Sequence, residues 1–273
     1  MDSSVSLSDI PWYWAAMLVI LLASAVAAGG LFIIRRLTNP KNLRKDQEIA
    51  SYSLNTIALL YCVIVGFVVI RVQERHSHIK DVTVREANLL LNLYYSSCDV
   101  FSFELCSNIK NAITAYAHHV IEKEWPYMVK GEDISLAFPQ SVHLLWMVYD
   151  EIDPKDNGQM ARYAESLSRL NDLTEARFGR LSNVGTSEGA FMWTVLIYGG
   201  ILVIIYSCLF ASNSVTEHLF QLIFTTSFIA LVLLLIYSLD SPYSGPTAIT
   251  PKPFEHVLEL IDSKHRPQRT AIV

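Results

Sequence analysis

Glu124, Trp125 and Pro126 stand side by side, and two guanidinium groups, Arg177 and Arg180, follow further along the chain. Together with Glu86 they make two acids facing two bases. Such a set either pairs with itself inside a fold or serves an opening, and the sequence allows both. Arg177 and Arg180 are expected to pair with Glu86 or Glu124, or else to meet lipid head groups. Proline cannot continue a helix interior and biases the residue before it away from helical angles. The motif is therefore expected to end a helix and aim its indole at a neighbour, as a structural corner. The functional alternative has Glu124, held beside an aromatic ring, lining an aperture or a binding cleft.

A second constellation lies on an apolar segment. Tyr52, Asn55, Leu59, Cys62 and Gly66 recur at three- and four-residue steps, which puts them on one face of a helix, while Ser53, Ile57, Leu60, Ile64 and Phe67 lie on another. A side-chain amide facing lipid is costly, so Asn55 should point into protein or water. The stripe then either packs helix against helix, with Gly66 permitting close approach, or forms the wall of an oligomeric pore. In the pore reading Asn55, Leu59, Cys62, Val63 and Gly66 face an axial path, and Leu59 and Val63 make a dewetting constriction. Glu217, Gln221 and Thr225 form a similar polar stripe, expected in a bundle interior or an interface.

Other reactive types do not assemble into sites. His118 and Glu122 are four apart on a helix with His119 between them, yet two ligands on one face do not make a zinc site. The acidic run from Asp150 to Asn157 fails as a calcium loop, because Lys155 would fall on a ligand position and Ala164 on the final acidic one. Cys62 and Cys208 lie in apolar segments. Cys98 and Cys106 are eight apart in an expected helix, which would hold them too far apart for a bridge if it is continuous, so neither a disulfide framework nor a metal site is expected. There is no Gly-rich phosphate loop, no nucleophile elbow and no His-Glu-x-x-His, so neither an enzyme nor a cofactor is indicated.

The elements that would position these residues are dominated by four apolar segments arranged two and two. They run approximately from Trp12 to Ile34, Tyr52 to Ile70, Phe191 to Phe210 and Leu219 to Leu239, and none contains Asp, Glu, Lys or Arg. Each can cross a hydrocarbon core of ~30 Å at ~1.5 Å per residue. The first segment is read as a retained helix rather than a signal peptide, because its apolar run is long and no positive charge precedes it. Ser24 with Ala28, and Ala25 with Gly29, offer small-residue spacing for a neighbouring helix, and Trp12, Tyr13 and Trp14 suit the interface. The organisation expected is spans one and two in residues 1–70, a helical extramembrane domain in 71–190, spans three and four in 191–239, and a tail with a short helix in 240–273. The fold class is all-α.

The chain of 273 residues is 52% hydrophobic and 17% charged, with mean hydropathy +0.31, which is too apolar for an ordinary soluble protein. Residues 71–190 hold 12 Lys or Arg and 17 Asp or Glu, so this insert alone carries the net charge of −5. No clustered basic face invites nucleic acid. Within the insert, the absence of Gly and Pro from Phe67 to Trp125 predicts that span two runs on as an extended helix with one or two breaks. Further helices are expected from about Glu104, over 139–150, and near Gln159 to Leu181.

Several short motifs in this order resemble the bestrophin-like family. They are Glu86-Ala87-Asn88; Tyr116 with Glu124-Trp125-Pro126; Arg177 with Arg180-Leu181; Trp193 with Gly199-Gly200; and the run from Leu239 to Gly245. The resemblance spans about 55–251. It implies a bestrophin-like architecture in which the second span lines a pore and continues into a helical cytosolic domain, and by resemblance a pentamer. The leading expectation is an oligomeric, channel-like protein of the bacterial inner membrane, with the bilayer, further copies of itself and inorganic ions as partners. The alternative is a membrane-anchored sensor or adaptor whose helical domain binds a protein.

Sidedness divides the charges. Arg35, Arg36, Lys41, Arg44 and Lys45 sit between spans one and two. Seven others flank the spans on the opposite side: Arg71, Arg75, Lys80, Arg85, Arg177, Arg180 and Lys252. Five charges against seven decide neither side; two domain cysteines with no obvious bridge, and the resemblance, predict a cytoplasmic helical domain and cytoplasmic termini.

Overall fold

The computed structural model describes residues 12–37, 47–98, 102–132, 140–186, 189–209 and 214–265. Lys41, Arg44 and Lys45 of the first loop, and Asp133, lie outside the described residues. The described chain is helical, without a strand among the described residues. It divides into two compact units, one of residues 1–74 with 187–241, the other of 75–186 with 242–273.

The first unit holds the four membrane-crossing helices: α1 (Trp12–Leu37), the first part of α2 (Gln47–Cys98), α7 (Ala190–Cys208) and α8 (Val215–Asp240). Helices are what a bilayer permits, because every backbone donor and acceptor is satisfied within the segment. α1 packs on α8 through small residues: Ala27 is buried, Leu31 is fully buried, and Ser24 Oγ lies 3.2 Å from Ser227 Oγ. A second cluster joins Val72 of α2 to Leu196 of α7 and to Ile236 and Leu239 of α8. Close approach in this unit belongs to Gly199 and Gly200, on which the Tyr61 ring lies. A Cβ at Gly199 would sit 2.6 Å from Tyr61 Cδ2, and the Tyr61 hydroxyl donates to the Leu196 carbonyl at 3.1 Å.

At one end of this bundle a polar set surrounds the buried His218. The Arg35 guanidinium can only donate, so His218 Nδ1 accepts from it at 3.1 Å, and His218 Nε2 carries the proton and donates to the Ser207 carbonyl at 2.9 Å. Trp193 of α7 and Asp240 at the end of α8, 47 positions apart, also meet, Trp193 Nε1 donating to Asp240 Oδ2 at 3.1 Å.

The second unit contains the rest of α2, then α3 (Phe103–His119), a π-helical turn (Val120–Glu124), α4 (Trp125–Lys130), α5 (Gln140–Asp150), α6 (Asn157–Leu181) and α9 (Lys252–His265). Its core includes Leu90, Leu93, Ile113, Leu145, Leu170 and Leu173. Residues after 240 contribute as well: Phe254, Val257 and Ile261 of α9 are buried in this core. Asp156 caps α6, its side chain accepting from the Gln159 N–H at 2.8 Å, so the acidic run serves as a helix start.

Two expectations are corrected here. Cys98 and Cys106 do not share a continuous helix, because α2 ends at Cys98 and α3 begins at Phe103; their Cα atoms lie 4.7 Å apart and they form a disulfide. Nor does Trp125-Pro126 end the helix. Trp125 keeps helical angles of φ −58° and ψ −46°, and its N–H reaches the Val120 carbonyl, five residues back. Widening that turn makes room for the proline ring, and Pro126 sits in the first turn of α4, where a missing N–H costs least. The helical run stops at Gly131, whose φ of +73° is a left-handed cap.

Candidate functional site

Four of the singled-out polar residues meet inside the second unit. Arg180 on α6 grips Glu86 on α2 with a fork, Nε to Oε2 at 2.7 Å and Nη2 to Oε1 at 2.8 Å, and Nη2 also donates to Glu124 Oε2 at 2.7 Å. Arg177, one turn earlier on α6, donates to Glu124 Oε1 through Nη2 at 2.7 Å and Nε at 3.1 Å. Tyr116 donates to Glu86 Oε1 at 2.6 Å. Arg180 Nη1 meets Met128 Sδ at 3.0 Å, its guanidinium lies 5.6 Å from the Phe254 ring centroid, and Tyr243 donates to the Arg180 carbonyl at 3.0 Å. The Trp125 ring stands edge-on to Tyr243, with centroids 5.7 Å apart.

This arrangement is buried and balanced. Glu86, Glu124 and Arg180 have no exposed surface and Arg177 has 8%. Two carboxylates against two guanidiniums leave no net charge where an uncompensated one would be expensive. Burial pushes the Glu124 carboxyl up, but Arg180 and Arg177 outweigh it and hold the group below the usual carboxylate range. Burial and the Glu86 charge push the Tyr116 hydroxyl well above its ordinary value. Burial alone would favour a neutral Arg180, yet Glu86 and Glu124 keep it more firmly protonated than usual. The local fold makes this possible: the π turn redirects the chain between His119 and Trp125, bringing Glu124 inward beside Arg177.

Of the alternatives the sequence allowed, the pairing of Arg177 and Arg180 with Glu86 and Glu124 is the one formed. Arg177 and Arg180 do not lie on a surface that head groups reach, and Glu124 does not line an opening of the subunit, because their polar atoms are spent on each other. Sequence reasoning named both acids and both bases but could not show which pairs form. Tyr243 and Phe254, which complete the cage, had no chemical signal of their own. His218, with its fixed tautomer, was not foreseen either.

The stripe on span two has the opposite character. Asn55, Leu59, Cys62, Val63 and Gly66 are all exposed in the single chain, Leu59 at 66%. No atom stands within 4 Å of a Cβ placed on Gly66, so this glycine does not serve close packing inside the subunit. The face of α2 that packs in its own bundle is that of Tyr61, Val65, Val68 and Val72. At ~100° per residue, the Asn55 stripe lies roughly 130° round the helix from it. Glu217 and Gln221 of α8 are exposed too, which removes them from the interior of their own bundle. His118 Nδ1 and Glu122 Oε1 are 3.1 Å apart and exposed, and among the described residues no group of three metal-ligating side chains occurs.

A helical unit joined to a four-helix membrane unit, with the pairs of spans on either side of the insert, matches a known arrangement. The model of the bestrophin-like domain matches residues 21–254. The chain belongs to the bestrophin-like family. Among solved structures, a point-substituted membrane protein aligns with TM-score 0.68 at 12% identity, covering 90% of this chain and 98% of its own. A point-substituted bacterial bestrophin homologue from Klebsiella pneumoniae aligns with TM-score 0.65 at 10% identity, covering 91% of this chain and 98% of its own. Identities this low establish the bestrophin-like fold and nothing finer. No curated protein matches the sequence.

Proposed function

We propose that this bestrophin-like protein assembles into a homo-oligomer, by family resemblance a pentamer, in which α2 of each copy faces a shared axial path for small inorganic ions. The observation that carries the reading is Asn55, an amide in an uncharged, largely apolar segment, which is exposed among the described residues of its own subunit. Against lipid its hydrogen bonds would be unmet; against water or a ring of other amides they are satisfied. Leu59 and Val63 on the same face supply the apolar narrowing at which water, and with it ions, can be excluded. Gly66 keeps that face open where a side chain would obstruct it.

The buried Glu86–Arg180–Glu124–Arg177 network serves this function as a fastening of the helical unit, not as an ion site. We place the helical unit and the termini in the cytoplasm on the family resemblance, since five charges between spans one and two against seven on the other side decide neither way. The Cys98–Cys106 disulfide removes the cysteine argument for that side and favours an oxidising compartment instead. A cysteine introduced at exposed Lys155 decides: labelling of intact cells by an impermeant thiol reagent would put the unit outside.

Flux through liposomes containing the purified protein, with subunits counted by native mass spectrometry, tests the channel reading. Oligomers that conduct support it. Oligomers without flux favour the adaptor reading, for which Leu144 and Met147 of α5, each 49% exposed, offer a protein-binding face.

A further inference from the structure

A cavity of about 320 Å³ lies wholly within the second unit, between one face of α2 and the strap that runs from Thr247 into α9. We propose that it is a binding site for a small phosphate monoester. This inference is independent of ion conduction.

The chemistry of the lining points there. Lys80 of α2 and Lys252 at the start of α9 are the two lysines among the lining residues, and no Asp or Glu lines the cavity. Neither lysine makes an ion pair among the described residues. A monoester phosphate carries between one and two negative charges at neutral pH, about −1.5 to −2, which two lysines balance. Lysine recognises phosphate as a point charge, whereas a planar carboxylate is better met by the fork of an arginine, and no arginine lines the cavity. Thr250 adds a hydroxyl at the strap. Ile249 and Val84 give the walls apolar surface on which a short organic body can rest. The volume is at the small end of ligand sites, ~300–1,000 Å³, which suits such an ester better than a nucleotide-sized cofactor.

The walls are held in place before any ligand arrives. His76 Nε2 donates to the Thr247 carbonyl at 2.9 Å and so ties the strap to α2. The Ile249 N–H donates to the Pro242 carbonyl at 2.8 Å. Pro246, Pro251 and Pro253 fix three φ angles within eight residues, so little freedom is left to lose on binding. Thr83, without exposed surface, donates back to the Ile79 carbonyl at 2.8 Å and leaves the floor non-competing.

The same phosphate chemistry could come from a soluble ester or from a lipid head group. Full-length protein in a detergent with an uncharged head group is titrated with glycerol 3-phosphate by calorimetry at constant ionic strength. In parallel, protein in phosphatidylcholine nanodiscs with and without phosphatidic acid is followed by thermal unfolding. The proposal expects saturable binding in the first arm, stabilisation by phosphatidic acid in the second, or both; the first alone identifies a soluble ligand and the second alone a lipid. Lys80→Gln with Lys252→Gln should weaken the effect by roughly 100-fold, about tenfold per charge, while Lys155→Gln, outside the cavity lining, leaves it unchanged. Both lysines are exposed, so the pair of substitutions leaves folding intact, which an unchanged melting temperature without ligand verifies. No saturable response in either arm overturns the proposal. So does a response that the double substitution does not diminish.

Discussion

Arg180→Ala removes the central donor of the buried network and leaves a definite electrostatic residue behind. Glu86 loses both of its Arg180 contacts and keeps only the Tyr116 hydroxyl, while Glu124 retains Arg177. One carboxylate is then stranded at a site with no exposed surface. Breaking a buried ion pair from one side costs about 3–5 kcal/mol, most of it the penalty of the charge left uncompensated. That is about a fifth or more of the stability of an ordinary domain, ~5–15 kcal/mol. At roughly 2–4 °C per kcal/mol for a unit of this size, the melting temperature of the purified protein should fall by about 6–20 °C. Tryptophan fluorescence is a suitable probe because Trp125 stands edge-on to Tyr243 beside the network. Adding Glu86→Gln to Arg180→Ala removes the stranded charge and restores neutrality, so the double variant should be more stable than Arg180→Ala alone. Arg180→Lys, which keeps the charge but not the fork, should fall between wild type and Arg180→Ala. If Arg180→Ala costs less than ~1 kcal/mol, or if Glu86→Gln adds its full cost to it, the network is not the coupled fastening derived above.

Four further outcomes follow from particular contacts. Gly199→Ala should destabilise by about 1–3 kcal/mol, because its Cβ would meet the Tyr61 ring at 2.6 Å, whereas Gly66→Ala, with nothing within 4 Å, should leave the subunit's stability unchanged and alter assembly or flux; thermal unfolding and native mass spectrometry separate the two. Leu59→Ala should raise ion flux in liposomes with assembly intact, and a loss of stability instead would show that Leu59 is a packing residue. Acid should loosen the helical unit: Glu124 has its carboxyl depressed in the folded state, so its contribution is complete above the unfolded-chain value of ~4.3 and is lost as pH falls through the lower folded value, measurable as a drop in melting temperature. Tyr149, pushed up to about 12 chiefly by burial, acts in the opposite sense, its contribution complete below ~10 and lost as pH rises through the folded value. Cys98→Ser with Cys106→Ser opens the loop between α2 and α3 and should cost about 2–3 kcal/mol, and denatured wild type should show two free thiols, Cys62 and Cys208, before reduction and four after.

Much of this protein was legible one segment at a time. Four runs without a formal charge, each long enough to cross the hydrocarbon core, sufficed for the spans, since in lipid a continuous apolar segment satisfies its backbone within itself as a helix. The absence of Gly and Pro after Phe67 sufficed for the long α2, and helical periodicity for a helix near Gln159 to Leu181, which the structure starts at Asn157. Those properties depend on neighbours within a few residues. What depended on residues far apart in sequence was decided only by tertiary structure. Glu86 and Arg180 are 94 positions apart, and nothing local says that their fork closes rather than meeting head groups. Pro126 was read as a stop because local sterics forbid it in an ordinary helix, but a π turn relieves the clash and the surrounding core holds that turn in place. The disulfide likewise required the reversal after Cys98 that brings α3 back, which spacing along an unbroken helix excludes. Gly66 and Gly199 are the same residue type in similar apolar surroundings, yet one meets open space and the other an aromatic ring. Sequence determines where a small residue stands; only packing determines what it makes room for.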